Sequence, residues 1–345
     1  MYDLLALAFN RLLDFAAVFS ITANCIAITV ILKCTPKNMK NFARFLLNIM
    51  VWNFVVNLIF VVAHPYPMLP LVCFRLDGLL PYFVDSELLG HVFFGIALLV
   101  IVNVATAIFL SFQFRFMAIA YSRDFLHINH RWGYVYCGAL HIICSIVYIV
   151  LYQTWPVKAE NYKPTIPDDQ RANLFCFDPD GCARNRFVIT FFAFIFLIVC
   201  GVMTFVFLSF YHMQKHKALI GKNTLKMQRV LLWNLIILSA IPITLGAIPF
   251  LFAVLTIIFH DLPQSQVSCT VCIMILINYG PIMCIASLCV FKKYQMAVVQ
   301  MVFRILRRPI PDNWAMGPST KTNIAALKSE FSICPPMKNN WIDKK

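Results

Sequence analysis

Seven stretches of the chain are apolar for about 20 residues, the length a helix needs to cross the hydrocarbon of a bilayer. They fall at 12–32, 45–63, 88–114, 132–152, 187–211, 230–259 and 267–291. Asp14, and Glu87 just ahead of the third run, are the acids nearest to them. The sixth run is long and carries Pro242 and Pro249, which predicts a kinked or tilted helix whose freed backbone groups neighbouring helices must satisfy. After the seventh run the pattern changes. Phe291, Tyr294, Val298, Val302 and Ile305 recur at spacings of three and four, opposite Lys292, Gln295, Gln300 and Arg304. This predicts an amphipathic helix over 292–308 lying along a membrane surface, ended by Pro309 and Pro311. The polar remainder, 309–345, is expected to be a disordered cytoplasmic tail, in which Cys334, far from the helix, is only a weakly supported palmitoylation site.

Composition agrees with the pattern. Of 345 residues, 61% are hydrophobic and 13% charged, whereas soluble domains carry roughly 25% charged residues. The N-terminal stretch lacks a basic region, and Asp3, Arg11 and Asp14 break it too early for a cleaved signal, so the first span is expected to act as its own anchor. No Asn-x-Ser/Thr sequon occurs. Thirteen cysteines suggest a disulfide framework until they are placed: Cys25, Cys137, Cys144, Cys200, Cys284 and Cys289 fall inside apolar runs, where a thiol acts as a small hydrophobe. Cys73, Cys176, Cys182 and Cys269 sit where an oxidising exterior is able to pair them.

Orientation follows from the basic residues of the connections. Segments 33–44, 115–131, 212–229 and 292–345 hold 22 Lys and Arg together; segments 64–87, 153–186 and 260–266 hold 6. The first group is therefore expected to face the cytoplasm, with the N-terminus outside. The net charge of +14 then reflects basic loops against an anionic leaflet, and no nucleic-acid partner is expected.

The runs also lack things. No Asp, Glu, Lys or Arg lies in the interior of any of them, and His141 is the titratable residue read there, whereas pumps and carriers keep ionisable groups at the midplane. No metal-protease motif, phosphate loop or glycine fingerprint appears, so no enzyme, metal or cofactor is expected. Polar residues within the runs are amides and hydroxyls: Asn24, Asn48, Asn53, Asn57, Asn103, Thr106, Gln113, Asn234 and Asn278. Asn53 and Asn57 share one helical face. Such groups hold bundles together by interhelical hydrogen bonds, or form a network that links one end of the bundle to the other.

Local motifs narrow the class. The stretch TPKNMKNFARFLLNIMVWNFVVNLIF (35–60) resembles the first inner loop and second span of nematode serpentine chemoreceptors of class H, seven-transmembrane G-protein-coupled receptors. HPYPMLP (64–70) is similar to the proline-rich end of that span, and SFQFRF (111–116) to the family's Phe-Glu-x-Arg-Tyr ending of the third. NTLKMQRVLLWNLIILSAIP (223–242) resembles the entry into the sixth. Class I of the same superfamily is the nearest alternative. Asn57 stands where the family commonly has Asp, Gln113 where it has Glu, YGP (279–281) where it has His-Gly, and KKYQ (292–295) where it has Pro-Tyr-Arg.

The resemblance implies an all-α, seven-helix receptor that takes a small molecule from outside and signals to a heterotrimeric G protein. A pocket is expected between the outer halves of spans 3, 5, 6 and 7, and His91, Phe94, Tyr152, Thr190, Phe252 and Cys272 are candidates chosen by depth alone. With no buried acid to pair a cation, a neutral or weakly polar ligand is expected over an amine. Arg115, Lys222, Lys226 and Arg229 are candidates for the coupling surface; as a bland alternative, Arg115 anchors the membrane edge. Cys73 has Cys176 or Cys182 as possible partners, and a local Cys176–Cys182 bridge is equally open. Two other classes stand beside the receptor: a seven-span channel subunit of the insect odorant-receptor type, which needs the opposite orientation, and a small-molecule carrier, which the missing midplane charge and missing internal repeat disfavour.

Overall fold

The computed structural model describes residues 2–35, 40–79, 87–120, 130–162, 174–179, 181–215 and 222–306. Lipid offers no partner to a backbone amide, so each apolar run closes its hydrogen bonds within itself as a helix. Seven helical spans result: α1 (Tyr2–Cys34), α2 (Lys40–Ala63), α3 (Glu87–Ala120), α4 (His130–Tyr152), α5 (Cys182–Lys215), a sixth made of α6 (Lys222–Ile241) and α7 (Ile248–Ile258), and α8 (Ser265–Val290). The chain is thus a multi-pass membrane protein. α3 runs through the middle of the bundle, with 56% of its most apolar window buried, against 6% for α4 and 11% for α5 at the rim.

The helices outlast the apolar runs. α1 starts at Tyr2 rather than near residue 12, and its early turns pack against the sheet end of the bundle. Phe9 is buried against Tyr66, ring centroids 5.5 Å apart, and Asn10 Nδ2 donates to Asp77 Oδ2 at 3.0 Å. α3 likewise continues past residue 114 to Ala120, which brings Arg115 inside the helix.

The sixth span is wound unevenly. Pro242 has no amide hydrogen to give to the turn before it, and over Pro242–Ala247 the helix widens into a π turn, where the Ile248 amide donates to the Ile243 carbonyl. Pro249, in the first turn of α7, likewise has no amide to give back to the π turn that α7 continues.

Four short strands cap one end of the bundle: β1 (Pro65–Pro67), β2 (Cys73–Leu76), β3 (Pro156–Val157) and β4 (Leu174–Phe177). They form one antiparallel sheet in the order β1-β2-β4-β3. The register sets Cys73 opposite Cys176, and the two are joined as a disulfide. At the other end α9 (Lys292–Ile305) follows α8 after a break at Phe291, and Tyr294 holds it to the end of α1 through a 2.9 Å bond between its hydroxyl and Thr35 Oγ1. The expected tail falls outside the described residues.

Candidate functional site

Halfway along the bundle, α3, α5, the π turn, α7 and α8 enclose a cavity of about 100 Å³. Ile101, Ala105 and Ile108 face it from α3, Phe191, Ile195 and Val202 from α5, Pro242 and Gly246 from the π turn, Phe250 from α7 and Tyr279 from α8. Tyr279 supplies the one hydroxyl of this wall, and no charged side chain among the described residues lines it. Such a space excludes an ion and suits a small apolar guest; an apolar cavity half as large again, about 150 Å³, accepts benzene or xenon.

A column of rings fills the bundle between the cavity and the sheet. β4 drives Phe175 and Phe177, both fully buried, down among the helices. Phe175 gets there because Gly90 of α3 has no side chain: a Cβ at Gly90 would stand 2.6 Å from the ring. Phe177 meets Trp155 at 4.4 Å between centroids, Trp155 meets Phe187 at 4.8 Å, Phe187 meets Phe191 at 6.0 Å, and Phe191 meets Phe250 at 5.0 Å. The last two belong to the cavity wall.

On the other side of Tyr279 the bundle is polar. The Tyr279 hydroxyl donates to Asn53 Oδ1, and Asn53 Nδ2 meets Met283 Sδ at 3.6 Å. One turn along α2, Asn57 Nδ2 donates to Ser20 Oγ at 2.7 Å; Asn24 Nδ2 donates to the Ser20 carbonyl at 2.8 Å, and the Cys284 thiol to Asn24 Oδ1 at 3.1 Å. These residues are all buried and tie α1, α2 and α8 together. A second group joins α2, α3 and α4: His141 contacts Asn103 Oδ1 through Nδ1 at 2.6 Å and Asn48 Nδ2 through Nε2 at 3.4 Å, and Asn103 Nδ2 donates to Ser145 Oγ at 3.1 Å.

Near the end opposite the sheet, Arg115 Nη2 donates to the backbone carbonyl of Gln228 at 2.9 Å, fastening α3 to α6. Its Nε and the Gln228 Oε1 are buried without a partner. Gln113, standing two residues before Arg115, turns the other way: its side chain exchanges hydrogen bonds with the Tyr136 hydroxyl of α4 at 3.0 and 3.1 Å.

None of the six ligand candidates borders the cavity. The structure brings three of them together elsewhere: Tyr152 donates through its hydroxyl to the His91 carbonyl at 2.8 Å, and His91 and Phe94 pack on Phe175 and Phe177. Thr190 and Cys272 are half-buried in α5 and α8, and Phe252, 57% exposed, points outward from α7. The residues that do line the cavity carry no signal of their own in the sequence beyond Pro242 and the YGP that contains Tyr279. Among the coupling candidates Arg229 is exposed one residue beyond Gln228, while the side chains of Lys222 and Lys226 lie outside the described residues. Cys182 opens α5 as a free, exposed thiol, and Cys269 is buried in α8 rather than held in a loop.

Squid rhodopsin has a similar fold: the two superpose with a TM-score of 0.61 over 91% of this chain and 90% of that one, at 12% sequence identity. No curated protein matches the sequence. Residues 8–304 match the model of the family described as serpentine type 7TM GPCR chemoreceptor Srh, which is most of the chain and all seven spans from the second turn of α1 onward. The chain therefore belongs to the Srh family of serpentine seven-transmembrane chemoreceptors.

Proposed function

We propose that the chain is a plasma-membrane chemosensory receptor that binds a small external molecule, neutral or weakly polar, and signals to a heterotrimeric G protein. The observation that carries this is the position of Tyr279, which faces the apolar cavity with its ring and the buried amide network with its hydroxyl. A guest that fits the cavity better in one arrangement of the helices than in another shifts the balance between them. The π turn borders the same cavity, and α6 runs from it to the Arg115–Gln228 bond. Ligand contact at the turn thus has a continuous helix through which to act on the far end.

The sheet end is the extracellular one in this reading. The Cys73–Cys176 bridge suits an oxidising exterior, and the connections at the other end hold most of the Lys and Arg. The G protein then meets the end where Arg115 and Arg229 lie, with Lys222 and Lys226 in the two turns of α6 before Arg229. Among the described residues no acid lines the cavity to receive an ammonium group, which supports a neutral ligand over an amine.

Tags at each terminus, tested in intact and permeabilised cells, examine the orientation, and G-protein activation in the same cells examines the signalling. An accessible N-terminal tag with a hidden C-terminal tag is expected. The reverse arrangement would remove the receptor reading in favour of a channel-type subunit, and responses confined to charged amines would sink the ligand class.

A further inference from the structure

Taking the mid-bundle cavity as the ligand site, we infer that its ligand is a membrane-partitioning molecule that enters sideways from the bilayer, through the seam between α5 and the sixth span. The approach from the sheet is closed by the column of rings from Phe177 to Phe250, and β4 is tied down by strand pairing and by the disulfide to β2. A guest coming from water by that path would have to displace a strand.

The side of the cavity is built differently. α5 packs along α3, but among the described residues its approach to the sixth span is sparse. Two ring pairs pin the seam: Phe191 on Phe250 at 5.0 Å toward the sheet, and Phe210 on Trp233 at 5.8 Å toward the other end. The 19 helical steps from Phe191 to Phe210 span about 28 Å, and the cavity lies between the pins. Met203 belongs to the cavity wall and is also 63% exposed on the outer surface of the bundle, so at this point one side chain separates cavity from lipid. Ile243 of the π turn, half-buried, lines the cavity across the seam. An unbranched thioether with several rotatable bonds yields easily. The wall offers almost no polar group, so a solute already dissolved in hydrocarbon loses little on entering. A strongly hydrated molecule would have to leave its water to enter the bilayer and would find almost no polar group in the cavity to replace it.

The full chain in lipid nanodiscs, mixed with a pentane-sized alkyl diazirine and photolysed after increasing delays, tests the route, with adducts located by peptide mass spectrometry. The expected result is labelling at Tyr279 that excess benzene suppresses and that Ala105→Phe removes while thermal stability shows the variant folded. Met203→Trp and, from the facing side, Ile243→Trp should each lengthen the half-time of Tyr279 labelling tenfold or more. Opening the sheet end with Cys73→Ser and Cys176→Ser together should leave that half-time unchanged. Unchanged half-times in both tryptophan variants, or a lower final level at an unchanged half-time, would overturn the lateral route, as would faster labelling in the uncapped chain. Absence of any Tyr279 adduct in the unmodified chain would instead remove the cavity as the ligand site.

Discussion

Gly280 of α8 faces Asn57 of α2 so closely that a Cβ on the glycine would stand 2.6 Å from Asn57 Nδ2. That nitrogen is the donor to Ser20 Oγ, so the absence of a side chain at 280 is what lets the amide reach α1. Gly280→Ala is expected to cost about 1–3 kcal/mol, as overpacking of a tight interior does. The loss should shrink by at least half in an Asn57→Ala background, where the clash is gone. Thermal unfolding of the four members of this cycle in nanodiscs decides it, and equal losses in both backgrounds would place the strain elsewhere.

The Arg115 bond to α6 uses a main-chain acceptor. A hydrogen bond from a charged donor contributes roughly 1.5–3 kcal/mol, a factor of about ten to a hundred in the ratio of closed to open arrangements. Arg115→Met should therefore move spin-label distances between the far ends of α3 and α6 toward longer values. Gln228→Ala keeps the carbonyl and should leave the distance distribution as it was. Movement in both variants would mean that the Gln228 side chain, not its backbone, carries the latch.

The disulfide connectivity is checked by counting alkylated thiols before and after reduction. Cys73 and Cys176 should become reactive together on reduction, while Cys182 reacts throughout. Removing the bridge with Cys73→Ser is expected to lower stability by about 2–4 kcal/mol, and Cys182→Ser to leave it unchanged within error.

At the sheet end, His64 is buried just beyond α2, in left-handed backbone with φ of 42°, its Nε2 3.9 Å from Asp14 Oδ1. Burial pushes the imidazole pKa below its usual 6.5; Asp14 from α1 and Asp77 after β2 oppose that, the latter already paired with Arg75. A group that binds its proton less readily when folded stabilises the fold above its unfolded pKa. That contribution is lost as pH falls below 6.5 toward the depressed value. Stability should thus decline on acidification from neutrality, by no more than about 1.4 kcal/mol per pH unit from this group. Asn tolerates left-handed backbone, so His64→Asn should flatten the slope without a large loss at neutral pH. An unaltered slope in that variant would assign it to other groups.

The sequence made the seven spans and α9 legible because the apolar runs match the bilayer and the 292–308 stripe has one face. Which residues of a span face inward was not legible. The spans carry apolar residues on nearly every side, so periodicity gives no direction. Phe250 and Phe252 show the consequence: two positions apart on α7, the first is 8% exposed beside the cavity and the second 57% exposed outside. Depth favoured Phe252; packing selects Phe250. The sheet escaped notice because its strands span at most four residues and its central pair, β2 with β4, joins positions some hundred apart in sequence. The buried amides were legible as a class, and Asn53 and Asn57 as one face, but not their separate partners on α8 and α1.

Tyr279→Phe separates the two roles of that side chain. The phenyl ring keeps its place in the cavity wall, so uptake of an apolar probe should stay within about twofold of the unmodified chain. The lost hydroxyl leaves Asn53 Oδ1 buried without its donor, which costs roughly 1–3 kcal/mol. If the cavity acts on the rest of the bundle through this bond, agonist-driven G-protein activation should fall at least fivefold while probe labelling of the cavity persists. Asn53→Ala should give the same loss, and adding it to Tyr279→Phe should cost little more, because both remove one bond. Full signalling in Tyr279→Phe would leave the π turn as the route by which the cavity reaches α6, and losses that add in the double variant would mean the two residues act separately.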